Sequence, residues 1–329
     1  MEYRKIGKTG IKTSPVCMGT WAIGGGPWWG DSDDEESIKA IKASIDGGIN
    51  FIDTAPAYGF GRSEEIVGKA VKGMRDKVVI ATKCGLWWGG DEGEPFFEMD
   101  GYDVRRCLRP ETVRKEVEIS LQRLQTDYID LYITHWQEPG ENKTPIDVTM
   151  ECLLDLKKEG KIRAIGASNT TPQDIKEYLA AGQLDTIQER YTMLDRKIEP
   201  EYTRLCSSNS VGIMAYSALE QGLLTGKVTM ESTFGDDEYR NQLPWFKPEN
   251  RKKVLDTIAG WKPLTEKYAC TLSQLVLAWT FSQPGITWTL AGARKEKHAQ
   301  ENAGACEIVL DADDSTAIRG EIIALGAPA

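Results

Sequence analysis

Residues 110–134 read PETVRKEVEISLQRLQTDYIDLYIT, an amphipathic segment followed by a short apolar run. Pro110 suits the first position of a helix, where its missing N–H leaves no bond unmade. Val113, Val117, Leu121 and Leu124 recur at helical spacing and form one apolar stripe. The run at 128–134 has the length of a strand buried on both faces, as strands of a parallel sheet are. One helix and one strand thus alternate within 25 residues, and the alternation continues in both directions along the chain.

Further apolar runs lie at 16–19, 50–53, 78–83, 162–167, 186–188, 211–216 and 286–290, which makes eight with the run at 128–134. The segments between them read as helices. Ile38, Ile41 and Ile45 share a face, and Gly47-Gly48 stops that segment. Thr144-Pro145-Ile146-Asp147 and Thr171-Pro172-Gln173-Asp174 each offer a hydroxyl cap, a proline in the first turn and an acid near the positive end of the helix dipole. Eight strands alternating with helices over roughly 250–300 residues predict a (β/α)₈ TIM barrel, a single domain over 1–329. A doubly wound sheet would need a glycine fingerprint after its first strand. In Gly24-Gly25-Gly26-Pro27-Trp28-Trp29-Gly30 the third glycine of that fingerprint falls on Trp29, and Pro27 is a poor entry to a phosphate-binding helix. Residues 2–14 predict an N-terminal β-hairpin turning near Lys8-Thr9-Gly10. Residues 84–109 and 217–248 predict long loops after the third and seventh strands. Loops at strand C-termini are where barrel enzymes build their sites.

The bulk numbers narrow the function. Of 329 residues, 40% are hydrophobic and 27% charged, and the net charge is −10. Such a chain has no general attraction for nucleic acid or for an anionic membrane. The seven cysteines form no CxxC pair, which disfavours a zinc site or a disulfide framework and suits a reducing, cytoplasmic setting. MEYRKIGKTG has no apolar core of signal-peptide length, and no apolar run approaches the ~20 residues that span a bilayer.

Four polar residues stand at or just beyond strand ends: Asp53, Tyr58, Lys83 and His135. In a barrel these ends converge on one mouth. A phenol can give a proton to the alkoxide that develops when a carbonyl is reduced. A neighbouring ammonium is expected to lower its pKa, an aspartate to hold the ammonium, and a histidine to orient the carbonyl oxygen.

On these residues the chain resembles the aldo-keto reductase family, over essentially its whole length. FIDTAPAYGFGRSEEIVGKAV, VVIATK and LQTDYIDLYITHWQ resemble its tyrosine, lysine and histidine segments. KIRAIGASN, AYSALEQGLLTGK and LAGARKEKHAQEN resemble its cofactor segments. GTWAIGGGPWWG, THWQ, LEQGLLTG and WFKPEN carry a closer likeness to bacterial members of the methylglyoxal reductase and general stress type. The resemblance implies that Tyr58 is the general acid, tuned by Lys83 and Asp53, with His135 orienting substrate. It implies that Ser168, Asn169 and Gln188 hold the nicotinamide carboxamide and that Tyr216 stacks on its ring. Ser217, Leu219 and Gly222 would lie around the pyrophosphate, and Gly292, Ala293, Arg294, His298, Glu301 and Asn302 at the adenosine end. His298 departs from the Gln or Arg of many relatives.

Arg294, Lys295 and Lys297 follow the eighth strand, where barrel phosphate sites gather, which suggests NADPH, with NADH possible. Trp21, Trp28, Trp29, Trp87, Trp88 and Trp136 follow strand ends and suggest an aromatic wall for a small carbonyl substrate. The acidic run 31–36 is a charged helix start. The expected activity is reduction of methylglyoxal-like or sugar-derived carbonyls. A sugar dehydrogenase on the same scaffold, a cofactor-binding regulatory subunit and a barrel hydrolase or aldolase are the alternatives. The oligomeric state stays open.

Overall fold

Two short strands come first, β1 (Arg4–Lys5) and β2 (Lys12–Thr13), and pair antiparallel as the expected hairpin. Then follow β3 (Val16–Gly19), β4 (Phe51–Asp53), β5 (Val79–Cys84), β6 (Leu86–Trp87), β7 (Glu94–Met99), β8 (Tyr102–Arg106), β9 (Ile129–Thr134), β10 (Ile162–Ser168), β11 (Thr186–Arg190), β12 (Gly212–Tyr216) and β13 (Trp288–Gly292). Strands β3, β4, β5, β9, β10, β11, β12 and β13 pair in parallel, and β13 returns to β3 to close a barrel. The computed structural model describes residues 1–141, 143–235 and 239–328, and of Tyr239 the backbone alone. The expected domain end at Ala329 and residues 236–238 of the expected 217–248 loop lie outside the described residues.

The helices are α1 (Asp34–Asp46), α2 (Arg62–Ala70), α3 (Pro110–Leu124), α4 (Ile146–Lys158), α5 (Pro172–Ala181), α6 (Tyr202–Asn209), α7 (Pro248–Ala259), α8 (Lys262–Lys267), α9 (Leu272–Ser282), α10 (Glu296–Gly304) and α11 (Ala312–Ala324). Val113, Val117, Leu121 and Leu124 of α3 are all buried, and Gln125 ends the helix in a left-handed conformation. Thr171 and Asp174 form a reciprocal capping box on α5. Asp33 caps α1 through the Glu36 N–H, so the acidic run is a helix start. At α4 the expected hydroxyl cap is absent, because the Thr144 hydroxyl donates to Glu138 instead.

Two apolar layers form. One lies between the strands and the surrounding helices. The other fills the barrel, where Phe51, Ala81, Ile133, Met214 and Trp288 meet Ile6 and Ile11 of the hairpin. The hairpin plugs the N-terminal end, fixed by a 2.7 Å bond from the Trp288 indole to Thr13.

Among the strands, the clearest differences between sequence expectation and structure are these. The last barrel strand is β13, two residues beyond the expected run 286–290, because the Ile286 N–H closes a turn on Gln283. The sixth strand extends past residue 188 to Arg190. Residues 84–109 are not a plain loop: β6, β8 and β7 form an antiparallel sheet. The signal for it is Asp100-Gly101, the two-residue turn that joins β7 to β8 with both φ values positive, 51° and 81°.

Candidate active site

Barrel register carries the site. Gly19 pairs with Asp53, Asp53 with Ala81, and Lys83 with Ile133, so Asp53, Lys83 and the segment after β9 reach the same C-terminal rim. Tyr58 stands on the turn between β4 and α2. Its N–H donates to Ala55 and its carbonyl accepts from the Ser63 N–H. Gly24 and Gly59 let two loops touch there: a Cβ on Gly24 would lie 2.6 Å from the Tyr58 carbonyl carbon.

Lys83 is fully buried, and its ammonium donates to Asp53 Oδ1 (2.9 Å), Asp53 Oδ2 (2.8 Å), the Thr54 carbonyl (2.9 Å) and the Tyr58 phenol oxygen (3.1 Å). The Asp53 carboxylate also accepts from Gln188 Nε2 at 2.8 Å. The phenol oxygen therefore receives a proton donor from within, and its own O–H is left to point elsewhere. His135 is fixed by its N–H to the Cys84 carbonyl at 2.8 Å, and its ring stands edge-on to Tyr58 with centroids 5.9 Å apart. All four expected residues are thus in one place.

The electrostatics correct one expectation. Burial pushes the Tyr58 phenol above its ordinary value, and the downward pull of Lys83 does not overcome it. Burial also opposes the Lys83 charge, but Asp53 and then Tyr58 together raise it. Burial, then the Lys83 charge, holds His135 well below its ordinary value, so its imidazole is neutral near pH 7.

A second cluster adjoins the first. Asn169 adopts φ 54°, which lets its amide donate to the His135 carbonyl (2.9 Å) and accept from the Tyr216 hydroxyl (2.8 Å). Ser168 donates to the Gln188 carbonyl at 2.8 Å. An amide, a hydroxyl and a tyrosine ring in one patch give the donor and acceptor set that a carboxamide requires. Beyond β12 the backbone is left-handed at Ser217, Glu220, Gln221 and Gly222. A Cβ on Gly222 would meet nothing, so this bare turn is open to a phosphate. Leu219 lies within the same turn, and Glu220 holds it by accepting from Arg190 at 2.5 Å. Arg190 and Glu220 were not among the sequence candidates; an acid set directly before Gln221-Gly222 is the signal that could have found them. At the far end Asn302 donates to the Gly292 carbonyl, Ala293 is buried, and Glu301 pairs with Lys227 at 3.7 Å. Burial, then the Lys227 charge, lowers the half-buried His298. Arg294 Nη1 donates to the carbonyls of Trp29 (2.9 Å) and Asp31 (3.2 Å).

Aromatic side chains rim the mouth. Trp21 lies 6.3 Å from Tyr58 and contacts Trp28 and Trp29. Trp88 packs with Phe60 and Tyr102, and Trp136 with Phe96. Trp87 departs from this pattern: it is buried, its indole donates to Glu92, and Lys115 of α3 lies over its ring. Phe60, Phe96 and Tyr102 join the rim instead.

A closed parallel barrel with a phenol–ammonium–carboxylate cluster beside a nicotinamide-compatible patch defines a class of carbonyl-reducing barrel enzymes. The chain belongs to the aldo/keto reductase family, whose model matches residues 15–322. It is 46% identical over 321 residues to the NADH-specific methylglyoxal reductase of Escherichia coli, covering 97% of this chain and 98% of that one. It is also similar to the glycerol dehydrogenase of Gluconobacter oxydans, at 36% identity and a TM-score of 0.88, covering 99% of this chain and 96% of that one. An aldo/keto reductase from Klebsiella pneumoniae in complex with NADP and acetate matches at 29% identity and a TM-score of 0.69, covering 94% and 91%. The protein is an oxidoreductase that reduces carbonyl compounds with a nicotinamide cofactor.

Proposed function

We propose that the chain, acting as one domain over 1–329, reduces small aldehydes of the methylglyoxal type, with NADPH preferred and NADH accepted. The observation that carries this reading is the 3.1 Å bond from Lys83 to the Tyr58 phenol oxygen, with Asp53 beneath it. When bound, the nicotinamide cofactor supplies the hydride. Tyr58 supplies the proton, to the oxygen that becomes an alkoxide. Its raised pKa keeps the phenol protonated at neutral pH, which is the form a general acid needs. Lys83 stabilises the phenolate left behind, and Asp53 keeps the ammonium charged and in place. His135, neutral, donates one hydrogen bond to the carbonyl oxygen and orients it without competing as the acid.

Ser168, Asn169 and Gln188 would hold the carboxamide and Tyr216 the ring face. Ser217, Leu219 and Gly222 would cradle the pyrophosphate. Gly292, Ala293, Arg294, His298, Glu301 and Asn302 would form the adenosine end. Arg294, Lys295 and Lys297 support NADPH, since a guanidinium suits a ribose 2′-phosphate. The rim of Trp21, Trp28, Trp88 and Trp136, with Trp87 behind it, suits a compact carbonyl. A net charge of −10 disfavours nucleic acid as partner. The cysteines of the described residues are unpaired, which suits a cytoplasmic setting, and no helix there is long and apolar enough to cross a membrane.

Initial rates with methylglyoxal, lactaldehyde and glyceraldehyde, each with NADPH and NADH, test the reading. Turnover of methylglyoxal with NADPH at or above the rate of the other pairs is expected. No turnover of any aldehyde with either cofactor would overturn it.

A further inference from the structure

Residues 25–32 carry Trp28 and Trp29 into the mouth on a backbone with three left-handed glycines, Gly25, Gly26 and Gly30. The turn's own bonds are few: the N–H groups of Trp29 and Gly30 both donate to Gly26. Two arginines hold it from outside. Arg62, at the start of α2, donates to the Ser32 carbonyl and pairs with Asp34 at 2.7 Å. Arg294, from the adenosine end, donates through Nη1 to the carbonyls of Trp29 and Asp31. Trp29 stands edge-on to Trp21 at 5.2 Å, and Trp21 lies 6.3 Å from Tyr58. A line of contacts therefore runs from the adenosine end to the reacting oxygen.

We infer that Arg294 is a positioning residue that couples the ribose 2′-phosphate to the tryptophan wall of the substrate site. The inference rests on the reading of Arg294 as a 2′-phosphate ligand. Nη1 serves the loop, and both Arg294 hydrogen bonds among the described residues leave from Nη1, none from the Nε–Nη2 edge. That edge is the fork with which arginine grips a phosphate through two parallel bonds. A phosphate held there fixes the guanidinium, and the guanidinium fixes Trp29 and Asp31. A lysine ammonium donates from a single compact nitrogen, so it lacks the two opposed edges with which a guanidinium spans a phosphate on one side and the Trp29 and Asp31 carbonyls on the other.

Chymotryptic cleavage after Trp28 and Trp29, followed by mass spectrometry, reads the loop directly. In the free protein, Arg294→Ala is expected to raise the cleavage rate at least roughly fivefold, as two lost hydrogen bonds imply. Saturating 2′-AMP should slow cleavage of the wild type several-fold more than 5′-AMP does. That difference should vanish in Arg294→Ala and in Arg294→Lys, although the lysine variant keeps part of the 2′-AMP affinity measured by calorimetry. With NADH, which brings no 2′-phosphate, Arg294→Ala should raise the aldehyde KM more than it lowers kcat. Equal cleavage of wild type and Arg294→Ala, or equal protection by the two nucleotides in the wild type, overturns the coupling. Equal 2′-AMP affinity in wild type and Arg294→Ala overturns the cofactor reading, and the cleavage of the free proteins then judges the loop contact separately.

Discussion

Lys83 has three protons and four acceptors, so the Asp53 carboxylate shares one of them and the Tyr58 oxygen is held as a hydrogen-bond acceptor. Removing the phenol O–H in Tyr58→Phe is expected to lower kcat by ~10²–10⁴, the usual scale of general acid catalysis, with cofactor affinity retained. Lys83→Met acts twice. It removes the one group that pulls the phenol downward, so the Tyr58 pKa rises further, and it strands a buried carboxylate at about 3–5 kcal/mol of stability. The double variant Lys83→Met/Asp53→Asn should recover part of that stability in denaturant titrations and none of the turnover. The pH dependence follows from the same shifts. Reduction needs the protonated phenol, so its rate should hold through neutral pH and fall only as the pH passes the raised Tyr58 value. Oxidation of the alcohol needs phenolate and should climb over that range. An inflection of the reduction profile near the ordinary histidine pKa of ~6.5 would contradict the neutral His135.

At the scale of elements, the short turns that shape the mouth matter more than the helices. Gly59 has φ 64° and lies against the Gly24 carbonyl, so Gly59→Ala meets both a disfavoured backbone and a backbone contact. A stability loss of about 1–3 kcal/mol is expected by thermal unfolding, together with lower kcat because Tyr58 stands one residue away. Just beyond β6, Trp88 faces Phe60 and Tyr102, whereas Trp87 at the end of that strand is tied to Glu92. Trp88→Ala should therefore change the relative rates of different aldehydes, and Trp87→Ala should chiefly lower stability. The reverse pattern in a substrate panel would mean that the sheet sits otherwise over the mouth. These elements also mark where the sequence was readable. The α3 stripe and the α5 capping box were legible because spacing and capping act locally. The β6–β8 sheet hid from a search for buried runs, since Glu94–Met99 is largely exposed, although Asp100-Gly101 announced its turn. Trp87 shows a further limit: its residue type suggested a wall, but the strand's alternation turned the ring the other way.

For the whole molecule, parallel register brings residues far apart in sequence to one rim, so Asp53, Lys83 and His135 could be placed together before any coordinates. What the sequence could not show was the balance of burial against charge at Tyr58, because desolvation depends on everything around a group. It also could not show that Arg294 binds the tryptophan loop. The central claim is that a nicotinamide hydride and a Tyr58 proton meet at one carbonyl in this barrel. The most direct measurement is deuterium transfer from NADPH deuterated at both C4 positions to methylglyoxal, read by mass spectrometry for wild type and Tyr58→Phe. One deuterium per product on the former carbonyl carbon is expected from wild type, and product at least ~10²-fold slower from the variant, with NADPH binding intact. Unlabelled product, or labelled product formed equally fast without the phenol, would contradict it.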